Sequence, residues 1–350
     1  MDLPCGIFHE NYAQDMAVIR TKTQWAVLAS FLILLCAFPF FLSDTLLTIA
    51  IVIGITVISV HGLNILTGYC GQISMGHASF MAVGGYMSGI LCSKLGWSFF
   101  SALPCAALSA GLIGLFFGLP SLKIKGFYLI MATVAAQFII IWVILQLYSI
   151  TGGPNGLPVP RPNIGGFVFK TKASYFYLVM IFAILATVVA KNLVRSRVGR
   201  AFIAIRDNDL AAEVMGINVF GYKLLAFFIG CVFAGVAGAL LVHFVTYAFP
   251  AQFSFLDSVW YLGMLIAGGM GSISGGIFGV IALKLLDYVV TLAGPAASAV
   301  IPALSGPAGA ALGLFIRGIV IILFVTYEPR GLVHRWELIK ASVRLWPFSR

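Results

Sequence analysis

"TLLTIAIVIGITVISVHGLNIL" (residues 45–66) is followed, after one threonine, by "GYCGQISMGHASF" (68–80). The first stretch has no Asp, Glu, Lys or Arg and reaches the roughly 20 residues that an α-helix needs to cross a bilayer. The second holds Gly68, Gly71 and Gly76 together with Gln72, Ser74, Ser79 and His77. A lipid-facing helix has no use for these residues. The juxtaposition predicts a spanning helix that ends in broken backbone at membrane depth. Such backbone is tolerated only where it is buried in protein or lines a water-filled cavity.

Composition places the whole chain in the same setting. Of its 350 residues 61% are hydrophobic and 9% charged, with a mean hydropathy of +1.05. Soluble domains carry about one-quarter charged residues, and one core cannot absorb so much apolar surface. Strand-period alternation is absent, which excludes an outer-membrane barrel. The fold class is an all-α polytopic membrane protein of about 8–10 transmembrane helices. The net charge of +10 sits in short loops and tails. The positive-inside rule therefore accounts for it, and nucleic acid is not an expected partner. Six scattered cysteines show no metal-ligand spacing.

Ten spans are expected, near 25–42, 45–66, 72–93, 98–119, 126–148, 174–192, 222–247, 256–270, 274–293 and 309–327. They divide the chain into an N-terminal cytoplasmic segment (1–24), where no cleaved leader is expected, a permease domain (25–327) and a C-terminal cytoplasmic tail (328–350). The basic residues of 191–223, Lys123 with Lys125, and the tail after Tyr327 all fall on the cytoplasmic side by this count. Arg161, Lys170 and Lys172 fall outside, against the rule. The outer loop 151–173, rich in Pro and Gly, reads as ordered turns.

The one long polar connection, 191–221, contains "DNDLAAEVMG" (207–216). Asp207, Asn208 or Asp209 can cap a two-turn helix, and Gly216 can end it with positive φ. So short a helix does not hold alone in water. It rests either on its own bundle or on a cytosolic partner.

Several motifs together resemble one family, the M-type (LivM-like) permease subunit of branched-chain amino acid ABC transporters. They are "GYCGQISMGHASFMAVGGY", "TGGPNGL" (151–157), "SRVGRAFIAIRDNDLAAEVMGINVFGYKLLAF", "GGMGSISGGIFG" (268–279) and "EPRGL" (328–332). The chain departs from the family's pattern at Ile73-Ser74-Met75 and at Tyr327-Glu328. The resemblance implies an inner-membrane importer with a sister H-type permease, two cytosolic ATPase subunits and a periplasmic substrate-binding protein. It implies that ATPase coupling falls to Arg206, Asp207, Asp209, Glu213 and Gly216. ATP and Mg would be bound by the ATPase partners, and no cofactor by this chain.

The residues themselves agree that ATP is handled elsewhere, since no G-x-x-x-x-G-K-[ST] loop occurs. The alternative is a stand-alone ion-coupled carrier of small polar solutes, which would use membrane-embedded carboxylates. Asp44 and Asp257 lie at span ends, and Asp287 lies one turn from Lys284. Arg317 falls within the last span. The motif G-x-I-S-x-G occurs twice, at 71–76 and 271–276. Matching broken segments point to a transport path, so Gly71, Gln72, Ser74, Gly76, His77, Gly271 and Ser274 are the gate candidates. Gln72, Ser74 and His77 are expected to satisfy freed backbone groups or, alternatively, to line the path.

Overall fold

A computed structural model describes residues 22–345, apart from 42, 122–126, 165–166, 301–306 and 329. Lys123, Lys125 and the side chain of Arg317 lie outside the described residues, as does most of 1–24. By its contacts the chain divides into residues 1–48 and 49–350. The first unit, where described, is α1 (Lys22–Phe41) and the opening turn of α2, in which Thr48 donates to the Asp44 carbonyl at 2.9 Å. All that follows concerns the second.

Helix α2 (Asp44–Leu63) widens into a π-helix over Asn64–Tyr69. Then come α3 (His77–Lys94), α4 (Phe99–Ser121), α5 (Phe127–Gln146) and the single turn α6 (Tyr148–Thr151). The next elements are α7 (Lys172–Arg195), α8 (Arg197–Asp207), α9 (Asp209–Val214) and α10 (Val219–Val245). The chain finishes with α11 (Phe255–Gly268), α12 (Ile273–Val300), α13 (Pro307–Tyr327) and α14 (Leu332–Leu345). Among the described residues, six helices are long and apolar enough to cross a membrane. The protein is an all-α multi-pass membrane protein, and every expected span falls on a helix.

The outer loop has the expected turn character. It forms short strands β1 (Leu157–Pro158), β2 (Asn163–Ile164) and β3 (Phe167–Val168), and a fourth strand, β4 (Tyr247–Ala248), follows α10. β1 pairs antiparallel with β4, Leu157 opposite Ala248 and Pro158 opposite Tyr247, and β2 pairs with β3. Two expectations change. The polar connection 191–221 is mostly helical, because α7 runs on to Arg195 and α8 follows it. The tail after 328 also carries a helix, α14.

The core is built from α3, α4 and α10. Their contact is backbone on backbone. A Cβ on Gly84 would lie 2.3 Å from Gly235 Cα, and one on Gly238 would lie 1.9 Å from the Met81 carbonyl oxygen. Lipid tails offer helices no hydrophobic drive to associate. Close approach of small residues supplies dispersion contact in its place.

Two helices start inside the bundle. Ser79 N–H, in the first turn of α3, donates to Gln137 Oε1 near the midpoint of α5. The Phe253 carbonyl, just before α11, accepts from Gln137 Nε2. The two helices run from this level in opposite directions. Lys94 at the end of α3 reaches the Ser149 carbonyl beyond α5, while Gly268 at the end of α11 packs on Gly275. At 14 residues α11 is about 21 Å long, too short for a roughly 30 Å hydrocarbon core. The expected span 72–93 likewise begins late, at His77, because 71–76 is irregular.

Candidate gate and coupling site

The two G-x-I-S-x-G turns, two hundred residues apart in sequence, meet at one end of the bundle. Gly71 has φ +73° and Gly271 φ +76°, the left-handed region in which a Cβ is strained. Asn64, in the π-helix that leads into the first turn, clamps the second. Its Oδ1 accepts from Gly271 N–H at 3.0 Å, and its Nδ2 donates to the Ser272 carbonyl at 2.8 Å. A Cβ on Gly68 would sit 2.5 Å from the Gly271 nitrogen. Gly331, from the "EPRGL" motif, closes on the same end, and a Cβ there would lie 2.4 Å from Gly269 Cα. Ser274 faces solvent and shares a 3.0 Å hydrogen bond with Ser272.

From this turn the chain climbs back into the bundle, and its freed backbone groups find partners on neighbouring helices. Thr67 Oγ1 donates to the Gln72 carbonyl, and Met75 N–H donates to Thr133 Oγ1, both at 3.0 Å. Ala78 N–H donates to Ser258 Oγ at 2.9 Å, and Ser258 in turn donates to Gln137 at 3.1 Å. His77 Nε2 shares a 3.0 Å hydrogen bond with the Ser59 carbonyl, and its ring meets Tyr261 edge-on. Gly76 has the Thr133 carbonyl where a Cβ would go, at 2.2 Å.

Of the polar residues of 71–77, His77 reaches a backbone carbonyl, while Gln72 and Ser74 do not satisfy backbone groups. Gln72 is 3% exposed and Ser74 1%, yet neither the Gln72 amide atoms nor the Ser74 hydroxyl has a hydrogen-bond partner. The satisfying work falls to Asn64, Thr67, Thr133, Gln137 and Ser258. All five lie in or beside the expected spans. The signal was present in the sequence as isolated polar side chains within apolar runs. A hydrophobicity window averages such residues away.

At the same end, α8 and α9 form a hairpin-like elbow between α7 and α10. Ser196 caps α8 by accepting from Gly199 N–H, and Asn208 caps α9 by accepting from Ala211 N–H at 3.0 Å. α8 buries Gly199, Ala201, Phe202 and Ile205 and exposes Arg197 and Arg200. Beyond α9, Gly216 N–H bonds the Glu213 carbonyl and Ile217 N–H bonds the Ala212 carbonyl, with Gly216 at φ +82°. That is the six-to-one closure in which a left-handed residue ends a helix. Asp209 lies 3.6 Å from Lys223 on α10. Of α9, only Ala212 is buried. Leu210, Glu213, Val214 and Met215 face out, Val214 being 88% and Met215 82% exposed.

Among the coupling candidates, Arg206 differs from the rest. Its Nη1 donates to the Gly68 carbonyl at 3.1 Å, while Nε and Nη2 pair with Asp207. It faces the glycine turns, whereas Glu213 faces away from the bundle.

Several other polar groups are held locally. Asp257 closes a capping box with Ser254, accepting from its N–H and its hydroxyl at 3.0 and 2.6 Å. His61 meets Thr187, and His243 bridges Ser88 and the Pro160 carbonyl. Among the described residues no three His, Cys, Asp or Glu side chains are grouped to hold a metal.

Broken helices, glycine-paired turns and an outward-facing elbow thus sit together on a multi-pass bundle. The chain belongs to the family described as branched-chain amino acid transport system / permease component, whose model matches residues 45–325. It is 32% identical over 276 residues to the high-affinity branched-chain amino acid transport system permease protein LivM of Escherichia coli K12. That match covers 72% of this chain and 65% of the relative. LivM of Salmonella typhimurium matches to the same extent. LivH of Escherichia coli K12 is 25% identical over 249 residues, covering 65% of this chain and 78% of its own. The match to LivM spans just under two thirds of that relative's length. No solved structure matches the chain.

Proposed function

We propose that this chain is the M-type permease subunit of an ATP-driven importer of amino acids, branched-chain ones, in a bacterial inner membrane with both termini cytoplasmic. It moves its cargo by alternating access and performs no covalent chemistry. A sister H-type permease completes the path, a periplasmic binding protein delivers the cargo, and two cytosolic ATPases bind ATP and Mg. The observation that carries this reading is α9. Its two turns are capped at both ends and pinned to α10, yet they present Leu210, Val214 and Met215 to solvent. An apolar ridge on a polar connection is a knob for a partner's groove. The carboxylate that an ion-coupled carrier would need at the start of α11, Asp257, is committed to capping that helix.

The test is uptake of labelled leucine into vesicles holding this chain with its sister permease and ATPases, the binding protein supplied outside. ATP inside should drive accumulation. Val214→Asp should release the ATPases and abolish uptake, and Glu213→Ala should weaken it, with membrane insertion intact in both. Uptake driven by an ion gradient with no ATPase present, or variants indistinguishable from the parent, would defeat the reading.

A further inference from the structure

We propose that Arg206 is a positioning residue that joins the α8–α9 elbow to both glycine turns, so that displacement of α9 reaches two backbone breaks through one side chain. The proposal rests on the coupling reading above and assigns its internal half. Arg206 lies in the last turn of α8, three residues before the first residue of α9. Its guanidinium is oriented by Asp207, whose Oδ1 accepts from Nε at 3.0 Å and lies 2.9 Å from Nη2. That leaves Nη1 directed at the Gly68 carbonyl. Gly68 is in the final turn of the π-helix, where carbonyls lack helical partners and a cation is favoured.

The same side chain touches the other turn. A Cβ on Gly71 would lie 3.1 Å from Arg206 Cγ, and a Cβ on Gly271 would lie 3.0 Å from its Nη1. Both turns therefore carry glycine against this one arginine. Asn64 ties the second turn to the π-helix that leads into the first, through Gly271 and Ser272. With one cation seated against both turns, movement of the elbow shifts both or breaks the 3.1 Å contact with the Gly68 carbonyl. Arg206 reaches inward to the Gly68 carbonyl although part of its side chain stays open to solvent, so its role is distinct from that of the outward Glu213.

The experiment uses the complete complex in vesicles and reads ATP hydrolysis and leucine uptake together. Arg206→Ala should keep the ATPases bound and hydrolysing while uptake per ATP falls about tenfold, the weight of one charge-assisted hydrogen bond. Arg206→Lys should fall between, since one ammonium can reach the carbonyl but not hold the fork. Arg200→Ala removes equal charge from the same helix without this contact and should leave the ratio unchanged.

Spin labels at Ile73 and Met270, both exposed beside the two turns, supply a second reading. Their separation should change with nucleotide in the parent and change by less in Arg206→Lys, which serves if the alanine variant does not fold. Hydrolysis and uptake falling in proportion, or a nucleotide-dependent separation surviving undiminished in the variants, would overturn the proposal. A parent complex whose uptake ignores ATP would instead overturn the transport reading itself.

Discussion

Gln137 offers the most direct test of how the broken helices are held. Its amide makes three contacts at the middle of α5. It accepts from Ser79 N–H at 2.9 Å and Ser258 Oγ at 3.1 Å, and donates to the Phe253 carbonyl at 2.8 Å. All of these groups are buried. Gln137→Met keeps the volume and removes every partner. Hydrogen bonds inside membranes contribute about 0.6 kcal/mol each, up to about 1.7, so three give about 2–5 kcal/mol. The Phe253 carbonyl left behind adds desolvation cost, while Ser79 N–H keeps the Gly76 carbonyl at 3.2 Å. At about 2 °C per kcal/mol for a chain of this size, the apparent unfolding midpoint in detergent should drop by about 4–10 °C. Gln137→Glu keeps an acceptor for Ser79 and Ser258 and should recover part of the loss. A Gln137→Met midpoint within about 1 °C of the parent, on the same scale, would refute the view that this side chain holds the starts of α3 and α11 together.

Three further outcomes follow from close contacts and caps. Gly238→Val should abolish accumulation of folded protein, judged by size-exclusion in detergent, because its Cβ would meet the Met81 carbonyl at 1.9 Å; Gly318→Val, with nothing within 4 Å, should accumulate like the parent. Gly216→Ala meets open space but must hold φ +82°, a strain of about 1–2 kcal/mol. It should speed amide exchange over 209–217 while leaving the spanning helices protected, and Gly216→Asn should be milder. Lys223→Ala removes a partly exposed 3.6 Å pair with Asp209, worth about 1 kcal/mol or less. Uptake should change by no more than about fivefold on that basis, and a larger loss would show that α9 depends on this pair more than its geometry warrants.

The sequence alone determined that this is a helical membrane protein and where its apolar helices lie, while six of the described ones are long enough to cross. Runs such as 45–66 can be satisfied only by lipid and only as helix, so local composition settles the class. It also marked the breaks at Gly71 and Gly271 and the short helix before Gly216, because positive-φ glycines and capping residues are local signals.

The tertiary structure decided which polar residue serves which break. Gln72 and Ser74 sit in the broken segment, yet its backbone is satisfied by Thr67, Thr133, Gln137 and Ser258, most of them on other helices. A buried donor or acceptor is satisfied by whatever group lies within about 3 Å in space, and sequence distance does not enter. For the same reason the inward aim of Arg206, beside the outward Glu213 on one short elbow, followed only from the packing of α8 against the end of α2.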